Sequence, residues 1–77
     1  MTKALYEQLD RILSNKKLLK NKWTPIIKGD YIHVYHYHHL LFVYDLNLKT
    51  IVYEGQNMIL KPTDKRGIAN CKLYFKQ

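Results

Sequence analysis

Cysteine occurs once, at Cys71, so no internal disulfide can form. A small basic chain without a cross-link points to a reducing compartment, and a cytoplasmic location is expected. Acidic residues are scarce: 6 Asp and Glu face 13 Lys and Arg, for a formal charge of +7. Long apolar runs are missing too. The longest aliphatic or aromatic stretch is Leu40 to Tyr44, far short of the roughly 20 residues of a membrane span. Glu7, Gln8, Asp10 and Arg11 interrupt the first leucines, where a signal peptide needs an unbroken apolar segment. A soluble protein with no membrane partner is the expectation. At 77 residues the chain has room for one domain, which excludes Rossmann, TIM-barrel and kinase-scale enzymes. Arginine is rare against 11 lysines, while Asn, Ile and Tyr are plentiful, as codon pressure in an A+T-rich bacterium, phage or mobile element would produce.

With 47% hydrophobic and 25% charged residues, the composition is that of a folded globular domain rather than a disordered chain. Leu5, Leu9, Ile12 and Leu13 recur three and four apart, which predicts an amphipathic helix over residues 2–14 with Thr2 as N-cap. Extending it would put Lys16 and Lys20 in the middle of that stripe, where an ammonium is costly. A break near Ser14 and Asn15 follows, with Asn15 suited to a left-handed cap. Beyond it lies either a short second helical turn around Lys17–Lys22 or, failing the break, a single overhanging helix. Thr24-Pro25 ends helical structure.

The remainder reads as strands. Ile26–Lys28 precedes a Gly29-Asp30 turn, and Tyr31–Tyr44 is one long bent strand or two joined near His38-His39. Asp45–Lys49 is a hairpin connection into Thr50–Glu54; Gly55–Asn57 marks the next turn, Met58–Lys61 a short segment and Pro62–Gly67 a polar loop. Ile68–Phe75 is expected to be a last strand at a sheet edge, where Lys72 and Lys76 would discourage pairing, with a dimer through that edge as the alternative. The fold class is α+β: an N-terminal helix on one face of a three- to five-stranded antiparallel sheet. A monomer or a small homo-oligomer is compatible with this pattern.

The densest chemistry is Tyr31-Ile32-His33-Val34-Tyr35-His36-Tyr37-His38-His39. Strand alternation turns Ile32 and Val34 to the core and lines Tyr31, His33, Tyr35, Tyr37 and His39 along the open face. Three readings compete for that row: a tyrosine-covered sheet surface, a platform on which bases of single-stranded DNA or RNA stack, and a protein-interaction surface. His36 and His38 share a face, but no nearby cysteine or carboxylate pair completes four ligands, so neither a metal site nor a cofactor is predicted.

Positive charge gathers in three places: at Lys16, Lys17, Lys20 and Lys22, which include no acid; at Lys61, Lys65 and Arg66, which Asp64 dilutes; and at Lys72 and Lys76 on the expected last strand. Such clusters attract polyanions, with affinity falling as salt rises. A non-catalytic nucleic-acid-binding protein using the aromatic face, the Lys16–Lys22 cluster, Lys65 and Arg66 is the leading expectation. An inhibitor that binds and blocks a host nucleic-acid-handling protein is the alternative. A small ribonuclease using His33 or His39 with Tyr35 or Tyr37 and a lysine is the third. In length, basicity and a helix leading through Trp23 and Gly29 to a histidine-bearing strand, about half the chain resembles the HicA-type toxin ribonucleases in outline. Gly29 is followed by Asp30 and Tyr31 instead of that family's Gly-Ser-His pattern, so no catalytic residue carries over from the resemblance.

Overall fold

The computed structural model describes residues 3–55 and 61–76. Helix α1 spans Lys3–Leu13, and strands β1 (Trp23–Lys28), β2 (Tyr31–His36), β3 (His39–Asp45) and β4 (Thr50–Glu54) follow, before helix α2 (Pro62–Phe75). The strands form an antiparallel meander in the order β1-β2-β3-β4. The α+β class with an N-terminal helix on an antiparallel sheet is therefore correct, and the Thr50–Glu54 strand lies where the pattern put it. Thr2, Gln56 and Asn57, and most of the Met58–Lys61 segment, fall outside the described residues.

Helix α1 ends where lysines would have entered its apolar stripe. Asn15 takes φ +57°, its N–H donates to the Ile12 carbonyl (3.3 Å), and the Lys16 N–H donates to the Arg11 carbonyl (2.8 Å). This is the paired 5→2 and 6→1 pattern of a Schellman cap. An isolated helix of 11 residues is marginal in water, so α1 depends on burying Leu5 and Leu9, both fully shielded from solvent. Each such side chain contributes roughly 1.5–3 kcal/mol. No second helical turn forms at Lys17–Lys22; the segment is irregular. Gln8 holds it instead. Its Nε2 donates to the carbonyls of Leu19 (2.9 Å) and Trp23 (2.8 Å), and its Oε1 accepts the Leu19 N–H at 2.8 Å.

The Tyr31–Tyr44 stretch is two strands, with Tyr37 and His38 in the turn between them. Strand β3 buries five consecutive residues, Leu41 to Asp45, which plain alternation does not allow. The register explains it: Val34 pairs with Phe42 and Tyr35 with Leu40, leaving Leu41 as an extra residue at a bulge. A bulge lets neighbouring side chains lean to one face, and Leu41 and Phe42 both join the core beneath the helices.

The expected last strand is wrong. Residues 62–75 form α2, including the segment read as a polar loop. Pro62 occupies the first helical turn, where a missing N–H costs nothing, and Asp64 caps it by accepting the Lys61 N–H at 3.2 Å. Ile68, Cys71 and Phe75, spaced at helical intervals, pack toward the sheet. Lys72 and Lys76 therefore sit on and just past a helix, and the sheet edges are β1 and β4. Both helices share the core with Trp23, Ile32, Val34, Phe42 and Tyr44, so both described helices lie on one face of the sheet. Among the described residues no helix is long and apolar enough to cross a membrane.

Candidate functional site

The β2–β3 hairpin closes on a strained residue. Tyr37 has φ +56°, a region in which a bulky L-residue is an outlier and which costs of order 1–3 kcal/mol. Its side chain is 65% exposed. The Tyr37 N–H donates to the Lys22 carbonyl at 2.8 Å, tying the hairpin tip to the end of the lysine segment. The Lys22 ammonium lies 5.5 Å from the ring centroid of Trp23.

Beneath the tip, the Trp23 and His36 rings stack at 4.5 Å. His36 Nδ1 meets Asp64 Oδ1 at 2.5 Å in a buried pair joining β2 to the first turn of α2. Burial pushes the Asp64 carboxyl upward, yet the His36 hydrogen bond, the Lys61 backbone N–H and the nearby His39 together hold it below its ordinary value of 3.8. An ionised carboxylate only accepts, so the shared proton resides on His36 Nδ1. Trp23 Nε1 and His36 Nε2 are buried without a hydrogen-bond partner among the described residues.

This arrangement gathers some of the predicted residues and separates others. Lys22, Tyr37 and His39 meet at the hairpin tip, and Lys65 and Arg66 are exposed in the first turns of α2, whose Asp64 contacts His36 directly. Asp64, the acid that dilutes this cluster in the sequence, is turned inward and bound. Tyr31, His33 and Tyr35 remain on the open sheet face, in register with Asp45, Val43 and Leu40. Tyr37 and His39 do not continue that row: the turn removes Tyr37 from the strand, and His39 opens β3 opposite His36. The five-residue aromatic row is thus a three-residue row plus a hairpin tip.

Lys16, Lys17 and Lys20 are exposed on the segment clamped by Gln8; Arg11 Nη1 adds a bond to the Lys17 carbonyl at 3.1 Å. His36 is buried and paired whereas His38 is exposed in the turn, so the two do not share a face. Among the described residues no group of three or more His, Cys, Asp or Glu could hold a metal ion. The two histidines offered as alternatives for a ribonuclease lie apart: His33 pairs with Val43 in mid-sheet, and His39 opens β3 at the tip. Comparison with family models, curated proteins and solved structures finds no match to this chain.

Proposed function

We propose that this chain is a small non-catalytic nucleic-acid-binding protein that engages its ligand at the hairpin-tip end. The reading rests on one juxtaposition: exposed Tyr37, held at positive φ, stands with His39 and Lys22 beside the α2 turn bearing Lys65 and Arg66, where the only acid is buried against His36. An unpaired base stacks on the tyrosine ring while the cations meet phosphates; stacking contributes roughly 1–3 kcal/mol per base. Lys16, Lys17 and Lys20 extend the basic track, and Tyr31, His33 and Tyr35 form a separate aromatic surface on the sheet.

Fluorescence anisotropy of labelled single-stranded DNA, duplex DNA and RNA over a salt series tests the proposal. Micromolar or tighter binding that discriminates among the three and survives moderate salt is expected. Weak binding, equal for all three and lost on adding salt, overturns it. A second reading, a protein that blocks a host nucleic-acid-handling partner, is favoured by the sheet face that neither described helix covers, where Ile26 and Tyr31 are 38% and 42% exposed. It predicts poor nucleic-acid binding and a tight complex sensitive to Tyr31→Ala and Tyr35→Ala.

A further inference from the structure

At the C-terminal end of α2, remote in sequence from the hairpin tip, a trough of about 590 Å³ is lined by Tyr44, Lys49, Thr50, Ile51, Lys72, Phe75 and Lys76. That volume is in the range of small-ligand sites, which pair an apolar lining with a few polar groups. The lining divides sharply. Tyr44 and Phe75 stack at 4.3 Å with Phe42 parallel beneath Phe75, and Ile51, 40% exposed, adds an aliphatic wall from β4. The rim is three ammonium groups, and among the described residues no acid lines the trough. Lys72 pairs with Glu54 at 3.3 Å, outside the lining; Lys49 and Lys76 have no acid within ion-pair distance among the described residues.

Tyr44 and Phe75 turn ring faces on one another, so they do not offer both faces for intercalating a base. What remains for a ligand is ring edge and Ile51, which suits an aliphatic chain. An apolar floor whose rim carries two ammonium groups, Lys49 and Lys76, with no acid at ion-pair distance among the described residues selects molecules that are apolar at one end and anionic at the other. We propose that this trough binds a medium-chain alkyl carboxylate, its chain along Ile51 and Phe75 and its carboxylate between Lys49 and Lys76.

The test uses decanoate as probe, titrated below its micelle concentration into the full-length protein, with amide chemical shifts as readout. Shifts should cluster at residues 49–51 and 72–76, and decanol should bind about tenfold more weakly because it lacks the charge that two partly exposed ammonium groups recognise. The surface double variant Lys49→Gln/Lys76→Gln should bring decanoate down to the affinity of decanol; Ile51→Asp should abolish both. Equal affinity of decanol and decanoate for the wild-type protein overturns the proposal. So do the same shifts produced by inorganic phosphate alone, or decanoate shifts centred elsewhere.

Discussion

A methyl group added at Gly67 would lie 2.6 Å from the Trp23 indole and 3.4 Å from Leu41. The absence of a side chain at this position is what lets α2 settle onto the end of the sheet. Gly67→Ala would ordinarily stabilise a helix interior by about 1 kcal/mol. Here the overpacking against a rigid, buried indole, about 1–3 kcal/mol, opposes that gain and exceeds it. The variant should be less stable than wild type by about 1 kcal/mol in urea denaturation, and an increase in stability would show that α2 can shift freely.

That close approach also explains why α2 was illegible. Pro62 and Gly67 are residues of loops in most contexts, and the aromatic tail Leu73–Phe75 reads as strand. The helical signals were present in Pro62 at the first turn, Asp64 three residues beyond Lys61, and the spacing of Ile68, Cys71 and Phe75. They were outweighed because a glycine's value as a contact point appears only once its neighbour is known. By contrast, the end of α1, the Thr50–Glu54 strand and the strand character of Tyr31–Tyr44 were legible from local chemistry: misplaced lysines, an asparagine cap, and turn residues between β-branched runs. The start of β1 at Trp23 and the choice of two strands over one long bent strand were not. The lysines of the site were equally plain from charge. The His36–Asp64 pair was not, because its members are 28 residues apart and neither sits in a motif.

The Asp64 carboxylate makes stability depend on acid. Its folded-state value lies below 3.8, so its stabilisation is fully present above the unfolded value and is lost as pH falls through the folded one. Asp64→Asn keeps the shape but removes the charge that accepts from His36, at a cost of about 1.5–3 kcal/mol, the range for a hydrogen bond to a charged group. Urea midpoints should show a constant gap between wild type and variant above about pH 5, closing as pH falls below about 4. A gap that persists unchanged to pH 2 would mean the carboxylate charge contributes nothing.

Gln8 presents a different dependence, on geometry alone. Replacing it with leucine preserves much of the volume but leaves the Leu19 amide and the carbonyls of Leu19 and Trp23 without their partner. The Trp23 carbonyl, which is buried, costs about 1–3 kcal/mol when stranded this way, and the partly exposed Leu19 groups cost less. Gln8→Leu should destabilise the fold and, more specifically, raise the hydrogen-exchange rate of the Leu19 amide relative to β2 and β3 amides. Retained protection at Leu19 would show that the lysine segment is held by something other than this clamp.

Tyr37 joins stability to the proposed function. Where φ is positive, glycine loses its usual disadvantage, because it alone lacks the Cβ that clashes there. Tyr37→Gly should therefore be more stable than Tyr37→Ala by about 1 kcal/mol, the reverse of the order found at ordinary surface positions. Both substitutions remove the exposed ring, so both should weaken binding of single strands about 5- to 150-fold if that ring carries a stacked base. Neither should change the slope of log affinity against log salt, whereas Lys22→Gln and Lys65→Gln should each lower it by about 1. Titrating the four variants against one labelled oligonucleotide separates the contributions. If Tyr37→Gly is better folded yet binds as tightly as wild type, the strained tyrosine is not the stacking residue, and the binding surface must be sought on the sheet at Tyr31 and Tyr35.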